Sequence, residues 1–210
     1  MNRIFTTPAL IIAAALGLSA CATPFDVTRN ASIGTITPVI EAPTQDWSIT
    51  ALQIDVPRSL SVSEANTIKP RADIVWREDA PGDRHTQVAA ILTEALTPVM
   101  QPNPAAATPV IVSLQLTRFH AVTERARYTI GGEHEIEFIL TVRHAETGEI
   151  LSGPRDVDLT FRAYGGSQAI AAEAEGITQR VRITQRLQDW ARVEFPSAYG
   201  EFITSALATN

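Results

Sequence analysis

Three stretches in the second half of the chain alternate apolar and polar residues with a period of two, and they constrain the fold more than any other feature. Over 109–121, Val110, Val112, Leu114 and Leu116 fall on one face and Ser113, Gln115 and Thr117 on the other. Over 133–144, Ile136, Phe138, Leu140 and Val142 oppose Glu133, Glu135 and Glu137, and over 155–163 the apolar positions are Val157, Leu159 and Phe161. Successive side chains of a strand point to opposite faces, so each stretch predicts a strand with one dry and one wet face. The dry faces then need a cover.

The connections narrow this further. Glu146-Thr147-Gly148-Glu149 predicts a tight hairpin turn, with Gly148 supplying a positive φ. Gly131-Gly132 does not serve as a two-residue hairpin turn, because Phe138 would then face Arg125 and Leu140 would face Thr123. A bulge or a longer loop is therefore expected within 122–132.

Upstream, Leu52, Ile54 and Val56 alternate with Gln53 and Asp55 in a strand that opens at Trp47 and ends at Pro57, and a second short strand is expected over 73–77. Asp83 offers an N-cap to a helix whose stripe is Val88, Ile91, Leu92, Ala95, Leu96 and Val99, closing before Pro102. Residues 167–191 read as one long helix, bent at Gly176, with Ile170, Ala174, Ile177, Val181, Leu187 and Ala191 on one side. Pro196 suits the first turn of a short last helix carrying Tyr199, Phe202, Ile203 and Leu207. The order strand, strand, helix, three strands, long helix predicts an α+β fold: an antiparallel sheet of four to five strands with two main helices packed on one face.

The N-terminus has a different character. After Arg3, residues 8–20 are almost wholly Ala, Leu and Ile and close on Leu18-Ser19-Ala20-Cys21. That run is too short for a bilayer core, which takes ~20 helical residues. It predicts a signal peptide cleaved after Ala20, with lipidation of Cys21. Cys21 is the one cysteine of the 210-residue chain, so no disulfide forms within it. The alternative is a plain secretory signal ending in Ser19-Ala20 with a free thiol. Each buried methylene contributes ~0.8 kcal/mol, so two or three acyl chains would give stable membrane attachment. Ala22 follows the cysteine with no Asp, which under enterobacterial sorting rules implies the inner leaflet of the outer membrane.

Three segments follow: a signal peptide over 1–20, the lipidated cysteine and a tether over 21–46, and one periplasmic domain over 47–210. Pro24, Pro38 and Pro43 interrupt the tether, whose flexible span would be ~25–30 Å; the alternative is that 33–40 adds a strand to the domain. Loss of Arg3 takes the formal net charge from −6 to −7. That acidity argues against nucleic-acid binding, which needs a basic surface.

Candidate chemistry is sparse, and no cofactor or metal is expected. His134 and His144 lie ten residues apart on one strand, ~33 Å, beyond a shared coordination sphere, and His120 lies on the neighbouring strand. Glu133, Glu135 and Glu137 form an acidic row expected to pair with Arg118 or Arg162. Gly131-Gly132 and Gly165-Gly166 lack the Lys and Ser/Thr of a phosphate loop, and no serine lies in a nucleophile elbow. Arg125, Arg127 and Tyr128 are residue types enriched at binding hot spots and form a candidate partner-docking loop. The alternative there is a solvated extension with arginine lying over Tyr128.

The lipobox, Asp55-Val56-Pro57, Ile74-Val75-Trp76, Gly131-Gly132-Glu133-His134 and Thr147-Gly148-Glu149-Ile150-Leu151 resemble an uncharacterised family of alphaproteobacterial lipoproteins. The element order is also distantly similar to auxiliary lipoproteins of lipid-trafficking ABC transporters. That resemblance implies a noncatalytic subunit of an envelope complex and carries no site residues onto this chain. Two rival expectations are a carrier of a small apolar or lipid ligand, with a pocket beside Leu96, Phe138 and Phe161, and an enzyme with His120 and Glu124 in one cleft.

Overall fold

The computed structural model describes residues 46–196. The signal peptide, Cys21, nearly all of the tether and the last helix beyond Pro196 lie outside the described residues. In chain order the elements are β1 (Trp47–Asp55), β2 (Ile74–Val75), α1 (Arg84–Leu96), β3 (Thr108–His120), α2 (Glu124–Arg127), β4 (Gly132–His144), β5 (Ile150–Asp158), β6 (Phe161–Ala163), α3 (Ser167–Ala174) and α4 (Gln179–Glu194). The fold is α+β, with sheet order β1-β3-β4-β5; β2 continues beside β3 and β6 pairs with the start of β4. Among the described residues no helix is long and apolar enough to cross a membrane.

The sheet is mixed, not purely antiparallel as the alternation alone implied. β1 and β2 run parallel to β3, while β3–β4, β4–β5 and β4–β6 are antiparallel. The reason is α1: a strand joined to its neighbour through a helix crosses over and returns in the same direction.

The dry face carries Val110, Val112, Leu114, Leu116, Ile136, Phe138, Leu140 and Val142, all buried. It is covered by Val88, Ile91, Leu92, Ala95 and Leu96 of α1 and by Ile183, Leu187 and Ala191 of α4. Asp83 caps α1, its side chain accepting from the backbone N–H groups of His85 and Thr86. The longer connection expected within 122–132 is present, and β3 has in addition a register shift upstream of that range. The register shifts between Leu116 and Arg118, which keeps Phe119 opposite Ile136, and the connection contains the short helix α2.

Two expected elements are divided. The strand over 155–163 begins earlier, at Ile150, and breaks after Asp158, whose Oδ1 accepts from Thr160 N at 2.8 Å. The long C-terminal helix is two helices, because Gly176 at φ 79° ends α3 and Ile177 N donates to Ala172 O at 2.8 Å. The break resets the helical phase. Ile170, Ile177 and Val181, expected inward, are exposed, whereas Ala169, Ala172 and Ile183 are buried.

Candidate functional site

At the α2 end of the sheet, charged and polar side chains from five elements meet. Thr123 fixes α2 by accepting from Ala126 N through Oγ1 and donating from the same hydroxyl to Thr67 O at 2.6 Å. Arg125 points outward, its backbone N–H held by Asn66 Oδ1 at 2.8 Å. Arg127 points inward: Nη1 lies 2.9 Å from Glu173 Oε1 on α3 and 3.7 Å from Glu78 Oε2. Its guanidinium stands 4.9 Å over the Tyr128 ring, and Tyr128 Oη donates to Glu173 Oε2 at 3.0 Å. Burial and that carboxylate raise the Tyr128 pKa. Of the three docking-loop residues, Arg127 is thus engaged within the chain, while Arg125 and Tyr128 still present surface.

Two Gly-Gly pairs hold this corner closed. A Cβ on Gly165 would stand 2.2 Å from Gly131 N, so the chains touch backbone to backbone, and Gly166 N donates to Arg127 O at 2.8 Å. These glycines, which lack a phosphate-loop pattern, serve close approach.

Glu78 joins α4 to the corner. Its carboxylate accepts from Thr178 Oγ1 at 2.7 Å and from Gln179 N at 3.1 Å, supplying negative charge at the helix N-terminus. Beside it, Asp79 accepts from Trp76 Nε1 and from Arg180 Nη2. Burial pushes the Asp79 carboxyl up, but Arg180 and Trp76 outweigh it and hold the pKa below the usual range. Arg84 is buried, bound to Glu64, Gln87 and the carbonyls of Asp79 and Ala80.

His134 sits on the dry side under Phe161, ring centroids 5.0 Å apart, and is 1% exposed. Burial, with the nearby Arg182 and Arg127 charges, lowers its pKa to about 3, so the imidazole is neutral. Arg182 stacks 3.6 Å over Tyr164 and donates to Arg162 O at 2.8 Å. Arg127, His134, Tyr164, Glu173, Gln179 and Arg182 line a cavity of about 10 Å³.

The remaining expected residues are placed apart. His120, on the opposite face of the sheet but buried there, lies with Nε2 3.0 Å from Pro70 O. His144 Nδ1 accepts from the turn N–H groups of Glu146 and Thr147. Glu124 pairs with Arg77 at 2.6 Å, so His120 and Glu124 are each committed to other partners. Glu135 binds both Lys69 and Arg118, the pairing expected for the acidic row with Lys69 added, and Glu133 faces Arg162 across β4–β6. Among the described residues no three His, Cys, Asp or Glu side chains group as a metal-ligand set. Leu96 and Phe138 belong to the filled core, with Trp190 packed edge-on to Phe138 at 5.0 Å, while Phe161 lies under Arg182.

Glu78, Tyr164, Glu173, Gln179 and Arg182 were not singled out by sequence reasoning. The one local signal is Glu78-Asp79, an acidic pair directly after the buried Trp76.

On the outer side of α2 the surface is less polar. Ile68, Val122 and Ile130 line a half-open depression of about 320 Å³ together with Lys69, His120 and Glu133. Ile130 is 74% exposed and Tyr128 45% exposed.

These features define an α+β domain with a filled core and a charged corner beside an exposed Arg, Tyr and Ile surface. The chain belongs to DUF6778, a family of unknown function, whose pattern it matches over residues 47–205. A search of curated proteins finds no match. Among solved structures, a Xanthomonas campestris protein of the DUF330 family is similar at 12% identity and a TM-score of 0.42, covering 74% of this chain and 87% of that one. A Caulobacter crescentus protein described as a candidate lipoprotein is similar at 16% identity and a TM-score of 0.26, covering 80% of this chain and 94% of that one.

Proposed function

We propose that the protein is a noncatalytic lipoprotein, anchored by lipid at Cys21 on the periplasmic side of a bacterial envelope membrane, that serves as an accessory subunit of an envelope complex. The observation that carries this reading is Leu18-Ser19-Ala20-Cys21 closing an apolar run, with 25 residues between the cysteine and Trp47, where β1 starts. A tether of that length lets the domain meet a partner away from the lipid surface. The partner docks on the α2 corner, where Arg125, Tyr128 and Ile130 combine the residue types of a hot spot with exposure. The outer membrane's inner leaflet is the expected site, and transport proteins of the envelope are the expected partners. A carrier of an apolar ligand would need space beside Leu96 and Phe138 that core side chains fill.

The test is fractionation of cells expressing the wild-type chain or Cys21→Ala, followed by crosslinking and pull-down of the wild type. The wild type is expected in the membrane fraction, crosslinked to an envelope protein, with the variant lost from that fraction. A wild-type chain found in the soluble periplasm, or one on the membrane that captures no envelope partner, would count against the reading.

A further inference from the structure

Four buried side-chain atoms that line the cavity at the charged corner have no hydrogen-bond partner in the protein: Arg127 Nε, His134 Nδ1, Glu173 Oε1 and Gln179 Oε1. They come from α2, β4, α3 and α4. Glu173 Oε1 is close to Arg127 Nη1, but off the hydrogen-bond axis, so its acceptor capacity there is unused. Leaving such groups unpaired forfeits the hydrogen bonds they would make to water, and native proteins rarely gather four in one place.

The cavity measures about 10 Å³, close to the lower limit of ~10–15 Å³ for one water. That volume suits one water molecule. The hydrogen-bond inventory then selects the occupant. Arg127 Nε–H can only donate, and Glu173 Oε1 and Gln179 Oε1 can only accept. A water molecule offers two donors and two acceptors, so it satisfies all four atoms only if His134 Nδ1 also donates.

We propose that one buried water is an integral part of this fold, accepting from Arg127 Nε–H and His134 Nδ1–H and donating to Glu173 Oε1 and Gln179 Oε1. The neutral His134 is accordingly the Nδ1–H tautomer. With the proton on Nε2, Nδ1 would be a third acceptor facing a water that has two hydrogens to give. The water ties α2 to α3 and α4 and so pre-orders the corner that presents Arg125 and Tyr128. The inference rests on the cavity and its donors and acceptors and is independent of the lipoprotein reading.

The test uses the full chain purified in detergent. A high-resolution crystal structure is expected to show one peak refining as water within hydrogen-bond distance of all four atoms. Nitrogen-15 NMR of labelled histidine is expected to give His134 a protonated Nδ1 and a bare Nε2. In Gln179→Met, which removes one acceptor at similar volume, the Arg127 Nε–H signal should exchange faster with bulk water than in the wild type. A cavity closed by direct pairing of Arg127 Nε with Glu173 or Gln179 would overturn the proposal, as would a peak refining as an adventitious ion only. The Nε2–H tautomer would overturn it too.

Discussion

Arg127 on α2 and Glu173 on α3 are 46 residues apart in sequence and 2.9 Å apart in space, and both side chains are mostly withdrawn from water. With Glu78 and Tyr128 they join the candidate docking corner to the helices that cover the sheet. Removing Arg127 leaves the Glu173 carboxylate partly buried without its opposite charge. Arg127→Met is therefore expected to lower unfolding stability by ~3 kcal/mol, the low end for breaking a buried pair. Adding Glu173→Gln to that variant should recover part of the loss. Urea denaturation of the two single variants and the double variant measures both effects.

Glu78 offers a second handle on the same corner. Its carboxylate caps α4 from a position 100 residues upstream of Thr178. Glu78→Ala should cost ~1–2 kcal/mol, the range for losing a helix N-cap. Thr178→Ala should cost about the same, because its Oγ1 accepts from Val181 N while Glu78 serves Gln179 N. The double variant should lose somewhat less than the sum, since the two side chains also share one hydrogen bond. Thermal unfolding of the three variants tests this.

These contacts explain which parts of the fold were legible in the sequence. Asp83 capping α1, Gly148 in the hairpin and the alternation from Val110 to Leu116 are local patterns, readable within a dozen residues. The direction of β1 depends on a crossover, and alternation carries no information about strand direction. A continuous helix bent at Gly176 puts Leu187 and Ala191 of α4 inward, where they are, but misplaces Ile170, Ile177 and Val181, because Gly176 ends one helix and the next starts in a new phase. The charged corner was hardest to see: Glu78, Arg127, Glu173 and Gln179 look like ordinary solvated residues until the chain brings them together. Arg125 and Tyr128 were recognisable by type, while the inward turn of Arg127 was not.

The docking surface separates from stability by design of the experiment. Arg125 is exposed, and Ile130 is 74% exposed. Arg125→Glu and Ile130→Ser should each change unfolding free energy by less than ~0.5 kcal/mol, as surface substitutions do. If the corner is the docking site, both should reduce the yield of crosslinked envelope partner, and unchanged yields would place docking elsewhere. Denaturation and crosslinking of the same preparations read the two effects separately.

His134 sets a pH dependence of its own. In the folded chain it stays neutral down to about pH 3, whereas an unfolded imidazole takes up a proton near ~6.5. Between these values the unfolded chain binds more protons, so stability falls as the pH drops through ~6.5, by up to ~1.4 kcal/mol per pH unit from this residue. The carboxylates of Asp79 and Glu135 have pKa values held down in the fold, Asp79 by Arg180 and Trp76 and Glu135 by Lys69 and Arg118, each against the upward push of burial. Their contribution is present above the unfolded carboxylate range of ~4 and is lost only as the pH falls below it. The His134 window runs down to about pH 3 and meets the carboxylate one only below ~4, so the range above that belongs to His134. His134→Phe should flatten the stability profile between about pH 6.5 and 4.5 while leaving the steeper loss below about pH 4 in place. Urea midpoints of wild type and variant across that range decide it: equal slopes in the upper window would mean that His134 is not held neutral.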